Sequence, residues 1–264
     1  MKLVTHEFSE ELEHIYILPI GDFHLGDRLF NEERLQDFLD WAIKEDAYLI
    51  LGGDLINNAL KDSISDCYSQ TISPSEQLER ATDIFRPFKE RILGAVAGNH
   101  EFRSIRNCNF DPAGELVYRL GGQELAKKIY DPDGIAIIIR IGKSGHSHGK
   151  IIYTLYVTHG TGSGRTVGSK ANNLNNLAET VDVDIYMSFH THQQIYFDNE
   201  YYRIDETHNK IIPIPKHYVK GGSFLNWGDY AERKSYKPSL MGAPVIKLSG
   251  IIKNCEVIHN KEMI

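Results

Sequence analysis

Cysteine is scarce in this 264-residue chain: Cys67, Cys108 and Cys255 are odd in number, far apart and in no Cys-x-x-Cys pair. That argues against a disulfide framework and a thiolate zinc site, and it suits a reducing interior. Basic charge is also short. Twenty-nine Lys and Arg against 36 Asp and Glu leave a formal charge of −7, too acidic for a protein that coats nucleic acid by counterion release alone. Any phosphate it handles must be met by a local site. No apolar run approaches the roughly 18 residues of a membrane span. The opening MKLVTHEFSEELE carries charges where a signal peptide needs an apolar stretch, so the expected location is cytoplasmic with no membrane partner. Repeats, low-complexity tracts and linkers are missing too, which favours one domain over residues 1–264.

What is present is an ordinary globular balance, 41% apolar and 25% charged, in a chain long enough to build a core without staples. The run HIYILPI over 14–20 reads as a buried strand, and Leu35, Phe38, Leu39, Ala42 and Ile43 mark one face of a helix within 31–46. Strands are expected at 47–51 and 93–97. Residues 57–73 read as a polar surface excursion, and Ser73-Pro74-Ser75-Glu76 is a capping box that opens a helix ending or kinking at Pro87. A further helix over 113–129 is interrupted by Gly121-Gly122. From Ile135 the pattern turns to strand after strand: a hairpin over 135–140 and 151–158, a strand at 183–189, and a β-meander from Gln193 onward.

Five of the apolar runs stop at a metal-type ligand within a residue or two: Asp22 and His24, Asp54, Asn99 and His100, His159, and His190 and His192. Adjacent strands lie about 5 Å apart, so such ligands can converge on one sheet edge, where α/β proteins place their sites. Carboxylate, carboxamide and imidazole without thiolate suit Mn, Fe, Zn or Ni rather than a structural zinc.

Asp22-Phe-His24, Gly53-Asp54, Gly98-Asn99-His100-Glu101, Thr158-His159-Gly160 and His190-Thr-His192 resemble, in order, the five blocks of the calcineurin-like metallophosphoesterases. The likeness spans about 15–193, and the order of all five is far more specific than any one. The texture of GGDLINN, the Gly/Ser loop with Arg165 and YAERKSYKP resembles phage- or prophage-borne members. The resemblance implies an α/β fold, a two-sheet β-sandwich flanked by helices (αββα), and a centre of two divalent ions, Mn first among the metals above. It implies that Asp22, His24 and His192 hold one ion, Asn99, His159 and His190 the other, and that the Asp54 carboxylate bridges them. His100 is then the group that protonates the leaving oxygen or stabilises the transition state. Where many relatives carry an Asp that orients this histidine the chain has Asn57, whose neutral amide can fix the ring but does not favour imidazolium. Phe189 stands where the family usually has Gly, which bears on local backbone geometry but removes no ligand.

Arg103 and Arg106, just past His100, and Arg165 with Lys170 in the Gly/Ser loop are candidate phosphate clamps. That loop is not a nucleotide-binding loop, because Gly-Lys-Ser/Thr before a helix is missing. Gly145-His146-Ser147-His148-Gly149 mimics the last block but precedes the Thr158-His159-Gly160 block, so it reads as a solvated hairpin turn. Trp227 fits either core or a substrate wall, and Glu101 either holds a histidine or caps a turn. The expected function is a metal-dependent phosphodiesterase acting on a nucleotide or nucleic acid. The alternatives are a phosphomonoesterase or protein phosphatase, and a non-catalytic scaffold of the same fold.

Overall fold

In the computed structural model, which describes every residue except 62, 64–66, 144–148, 163 and 260–264, two mixed sheets pack face to face with helices outside. One sheet is centred on three parallel strands, β2 (His14–Ile20), β3 (Tyr48–Leu51) and β4 (Ile92–Ala95). It is completed by β10 (Val245–Ser249) and β11 (Cys255–Ile258), giving the order β11-β10-β2-β3-β4. The other sheet runs β1-β5-β6-β7-β9-β8. Its strands are β1 (Lys2–Glu7), β5 (Ile135–Ile141), β6 (Ile151–Val157), β7 (Ile185–Ser188), β8 (Ile195–Asp205) and β9 (Lys210–Lys220).

The strand types follow from their surroundings. β2, β3 and β4 are near-continuous apolar runs because a parallel sheet is covered on both faces. β5 and β6 alternate buried and half-exposed positions, as antiparallel neighbours with one inward face do. The sheets meet in one contiguous core that includes Ile17, Leu18, Leu49 and Ile50 from one side and Ile135, Ile137, Leu155 and Val219 from the other. At Gly94 the approach is close: a Cβ there would lie 2.1 Å from the Ile135 side chain.

The helices obey their sequence signals. α1 (Glu32–Lys44) starts from Asn31, whose side chain accepts from the Arg34 N–H. α2 (Pro74–Phe85) has the full Ser73/Glu76 capping box and passes into a 3₁₀ turn at Arg86–Phe88. α4 (Pro112–Ile129) breaks at Gly121 and Gly122, both with non-helical backbone. β1, which pairs in parallel with β5, and α3 (Asn99–Cys108), which begins inside the third block, carried no sequence expectation, and neither did the short helix over Asp229–Arg233. The expected terminal meander is a correction. β8 and β9 do form a long hairpin, but β9 also pairs in parallel with β7, and the chain then crosses to the other sheet, where β10 pairs with β2. Alternation along one strand reports burial, not the identity of its partner.

Candidate metal centre

All five blocks end at the same edge of the sandwich, and in three of them the ligand backbone is strained there. Asp22, His24, Asp54, His190 and His192 have φ of 51°, 48°, 51°, 73° and 55°, a left-handed region that costs a non-glycine residue on the order of 1–3 kcal/mol. Cross-loop hydrogen bonds hold them in it. The Asp22 N–H donates to the Gly53 carbonyl (3.0 Å), the His24 N–H to that of Asp54 (3.1 Å) and the His190 N–H to Asp22 Oδ2 (2.7 Å). The loops approach so closely that a Cβ on Gly53, itself at φ 82°, would lie 2.3 Å from the Gly98 nitrogen.

The Glu101 carboxylate ties two of these loops together. It accepts from the N–H groups of Gly98 (2.8 Å), Asp54 (2.9 Å) and Leu55 (2.8 Å), and more weakly from Ile56 (3.3 Å). Burial and the Asp54 charge push its pKa up to about 7 even with those donors. Its role is therefore that of a clamp on backbone, and no histidine is bound to it in the hydrogen bonds above.

The side chains meet as three overlapping groups whose ligand atoms lie within 4.8 Å: Asp22, His24 and His192; His24, Asp54 and His100; and Asp54, His159 and His190. Asn99 joins the last, its Oδ1 2.7 Å from His190 Nδ1 and 3.2 Å from His159 Nε2. Asp54 lies between the two halves, with Oδ2 3.4 Å from His159 Nε2 and 3.8 Å from His24 Nε2. The His159 Nδ1–H donates to the Gly52 carbonyl (2.7 Å), which turns Nε2 inward toward Asp54. His24 Nε2 and His192 Nε2 face each other at 3.1 Å. Asp22 Oδ1 is buried, 3.4 Å from His192 Nε2, and accepts no well-formed hydrogen bond among the described residues.

The electrostatics record the crowding. Burial lowers His24 well below its ordinary value, helped by the nearby His100. Burial would lower His159 as well, but the Asp54 carboxylate outweighs it and lifts this histidine to about 10. Asp54 is correspondingly held well below the carboxylate range, its burial overcome by His159 and His100. His192 is raised, since Asp22 outweighs its burial. Converging lone pairs, an orphaned carboxylate oxygen and too few protons to satisfy them all make this donor set one that fits divalent cations.

His100 is engaged differently. A carbonyl can only accept and a guanidinium can only donate, so its partners assign its tautomer. Nδ1–H donates to the Asn57 backbone carbonyl (2.6 Å), and Nε2 accepts from Arg103 Nη2 (2.8 Å). Burial first, and the Arg103 charge after the opposing Asp54, lower its pKa to about 4. Asn57 thus touches His100 through its main chain rather than through the expected amide, and Asn57 Oδ1 is buried without a hydrogen bond among the described residues. Arg103 also donates to the Asn57 carbonyl (2.9 Å). The two neighbouring arginines separate here: Arg106 is exposed, its Nε donating to Phe102 on its own helix. Arg165 is exposed as well, its guanidinium 5.6 Å above the Tyr236 ring.

Phe189 finds its explanation in three glycines. Its ring is fully buried, and a Cβ on Gly21, Gly52 or Gly221 would come within 2.8, 2.3 or 2.4 Å of it. Three strand ends leave out their side chains, and the phenyl fills the space directly beneath the centre. Lys220, at the end of β9, was not singled out from the sequence. It is buried, donates to Ser188 Oγ (2.9 Å), and is lowered to about 8 by burial against the opposing attraction of Asp22. A lysine in a short Val-Lys-Gly-Gly strand end carries no signal of burial by itself. The His146/His148 turn lies outside the described residues.

Residues 15–212 match the model of the family described as calcineurin-like phosphoesterase, about three quarters of the chain. No curated protein sequence shows a significant match. Among solved structures the chain is similar to GAP50, the anchor in the inner membrane complex of Plasmodium, at 12% identity and a TM-score of 0.45, over 95% of this chain and 86% of that one. It is similar to a Vps29 single mutant from Entamoeba histolytica at 15% identity and 0.43, over 92% and 98%. A metallophosphoesterase from Sphaerobacter thermophilus matches at 17% identity and 0.38, over 89% and 84%.

Proposed function

We propose, from the premise that this chain belongs to the calcineurin-like phosphoesterase family, that it is a two-metal phosphodiesterase whose substrate is a nucleotide or nucleic acid. The observation that carries this reading is the carboxylate between the two halves: Asp54 Oδ2 lies 3.4 Å from His159 Nε2 and 3.8 Å from His24 Nε2. Asp22, His24 and His192 would hold one ion and Asn99, His159 and His190 the other, with Asp54 common to both and manganese the first candidate. When bound, such a pair supplies a Lewis-acid clamp on the phosphoryl oxygens and a water activated at neutral pH.

The chain's own residues do the rest. Glu101 and the cross-loop bonds hold the ligands in place, so little reorganisation accompanies the reaction. His100 has Nδ1–H anchored on the Asn57 carbonyl, which leaves Nε2 as the atom for the departing oxygen. Nε2 accepts from Arg103 and carries no proton in this arrangement, so it must exchange that contact for a proton from solvent before it can give one. Arg103, now hydrogen-bonded to that nitrogen, brings a permanent positive charge beside it, suited to a phosphoryl oxygen.

The test is a hydrolysis panel with the manganese-loaded protein: p-nitrophenyl phosphate, bis(p-nitrophenyl) phosphate, cyclic nucleotides, single- and double-stranded DNA, and RNA. A kcat/KM higher for diesters than for monoesters is expected. Monoester preference would move the assignment to a phosphomonoesterase, and inactivity on all of them with two ions bound would leave a non-catalytic scaffold.

A further inference from the structure

The family match stops at residue 212, yet the chain beyond β9 returns to the metal centre. Between β9 and β10 it is fastened to three of the loops that carry candidate ligands. On the first, Ser223 Oγ donates to the Asp22 carbonyl (2.8 Å), the Asn226 N–H to that of Leu29 (2.8 Å), and Asp229 pairs with Arg28. On the loop with His190 and His192, Ser239 Oγ donates to the His192 carbonyl (2.7 Å) and Gln194 Nε2 to that of Leu240 (3.3 Å). On the loop after His159, Arg165 lies over Tyr236. Residues 226–240 therefore border the centre on the side of His24 and His192.

The chemistry of this border differs from that of the whole chain. It carries Arg233, Lys234 and Lys237 against Asp229 and Glu232, of which Asp229 is already paired, in a protein of net charge −7. Arg165 adds to it. Trp227 is 47% exposed, and its indole N–H already donates to the Tyr236 carbonyl (2.9 Å). With its only donor spent, what the indole offers a ligand is its π-face. An exposed π-face on a segment rich in cations is the chemistry that takes nucleobases, because every base has a face to stack and every linkage a phosphate to neutralise.

We infer that residues 226–240, with Arg165, form a substrate wall on which single-stranded nucleic acid is held, a base stacked on Trp227 and the backbone met by Arg165, Arg233 and Lys237. This rests on the phosphodiesterase reading above and narrows it. A single strand is favoured over a duplex, since stacking on an indole needs an unstacked base and the acidic remainder of the protein repels the extended charge of a double helix.

The experiment uses the full chain as wild type, Trp227→Ala, Trp227→Phe and Arg165→Gln, with metal content measured in each. One arm measures binding of a fluorescein-labelled eight-residue oligothymidylate and of the matching duplex by anisotropy in EDTA, where no hydrolysis occurs. The other measures the ratio of kcat/KM for oligothymidylate to that for bis(p-nitrophenyl) phosphate with manganese. Trp227→Ala is expected to weaken single-strand binding and lower the ratio by roughly tenfold or more. Trp227→Phe should restore most of both, and Arg165→Gln should flatten the salt dependence. Unchanged single-strand binding in Trp227→Ala, tighter binding of duplex than of single strand by wild type, or a ratio unaltered by either substitution would overturn the wall. The binding arm stands even if the wild type hydrolyses no diester, in which case the phosphodiesterase reading fails separately.

Discussion

The metal centre and the wall beside it are built on opposite principles. At the centre, five candidate ligands sit in left-handed backbone, buried or half-buried, held there by hydrogen bonds between loops. Along 226–240 most of the described side chains are exposed, and attachment includes hydrogen bonds from Asn226 and Ser239 and the Arg28–Asp229 ion pair. Strain is tolerated only where the surroundings over-determine the conformation, so the centre cannot absorb change, whereas the wall can be altered piecemeal. The same contrast separates chemistry from selection: buried, fixed groups suit charge stabilisation, and exposed aromatic and basic groups suit choice among ligands.

The most severe test of this contrast is Asp54→Asn. It removes the one carboxylate common to both halves, so activity on bis(p-nitrophenyl) phosphate should fall by orders of magnitude and elemental analysis should show loss of at least one ion. Full activity with one tightly held ion would show that the halves do not share it. Phe189→Ala comes next. Emptying the socket of Gly21, Gly52 and Gly221 should cost about 3–5 kcal/mol in urea denaturation. It should also loosen the His190–His192 loop, read as weaker manganese affinity. A mild loss with unchanged metal binding would mean the loop is held from above by its ligands alone.

The third test stays inside the centre but outside the ligand set. His100→Ala should retain both ions and lose roughly 10²- to 10⁴-fold on a dinucleotide, whose alkoxide needs a proton, and much less on bis(p-nitrophenyl) phosphate. Asn57→Ala keeps the carbonyl that holds His100, so its pH–rate profile should overlay that of wild type. A displaced profile would show that the amide takes part after all. The smallest effect belongs to the periphery, where the Lys216 hydrogen bond holds Asp182 below its ordinary 3.8. A carboxyl depressed in the folded state stabilises above its unfolded pKa and loses that contribution as pH falls through the folded value. The Tm gap between wild type and Asp182→Asn should be small at neutral pH, because Asp182 is 69% exposed. It should close on acidification below its ordinary value of 3.8.

Much of this architecture was legible in the chain. Strand-length apolar runs, the capping box at Ser73, the glycine break in α4 and the five ligand blocks are local patterns, and a local pattern reports its own geometry. β1 was missed because its short, half-exposed run lacks flanking turn signals, and α3 because its charged NHEFRSIRNC shows few apolar positions at helical spacing. At the site, residue type identified Asp22, His24, Asp54, Asn99, His159, His190 and His192 as ligand-type groups. The clustering of six of them, with Asn99 beside two histidines, followed from strand ends sharing one edge.

Residue type and order along the chain therefore set which chemistry was available: hard and borderline ligands at strand ends, no thiolate, and a histidine next to a ligand. How each group is used was decided by packing in three dimensions. It made the Asn57 main chain rather than its amide the partner of His100, chose Arg103 over Arg106, and turned Glu101 into a clamp for two loops. It seated Phe189 among three glycines from distant strands and brought 226–240 back against His192. The physical reason is range. Valence and backbone preference belong to a residue and its neighbours, whereas a hydrogen bond between positions tens to hundreds apart exists only after packing has spent the chain's conformational entropy to bring them together.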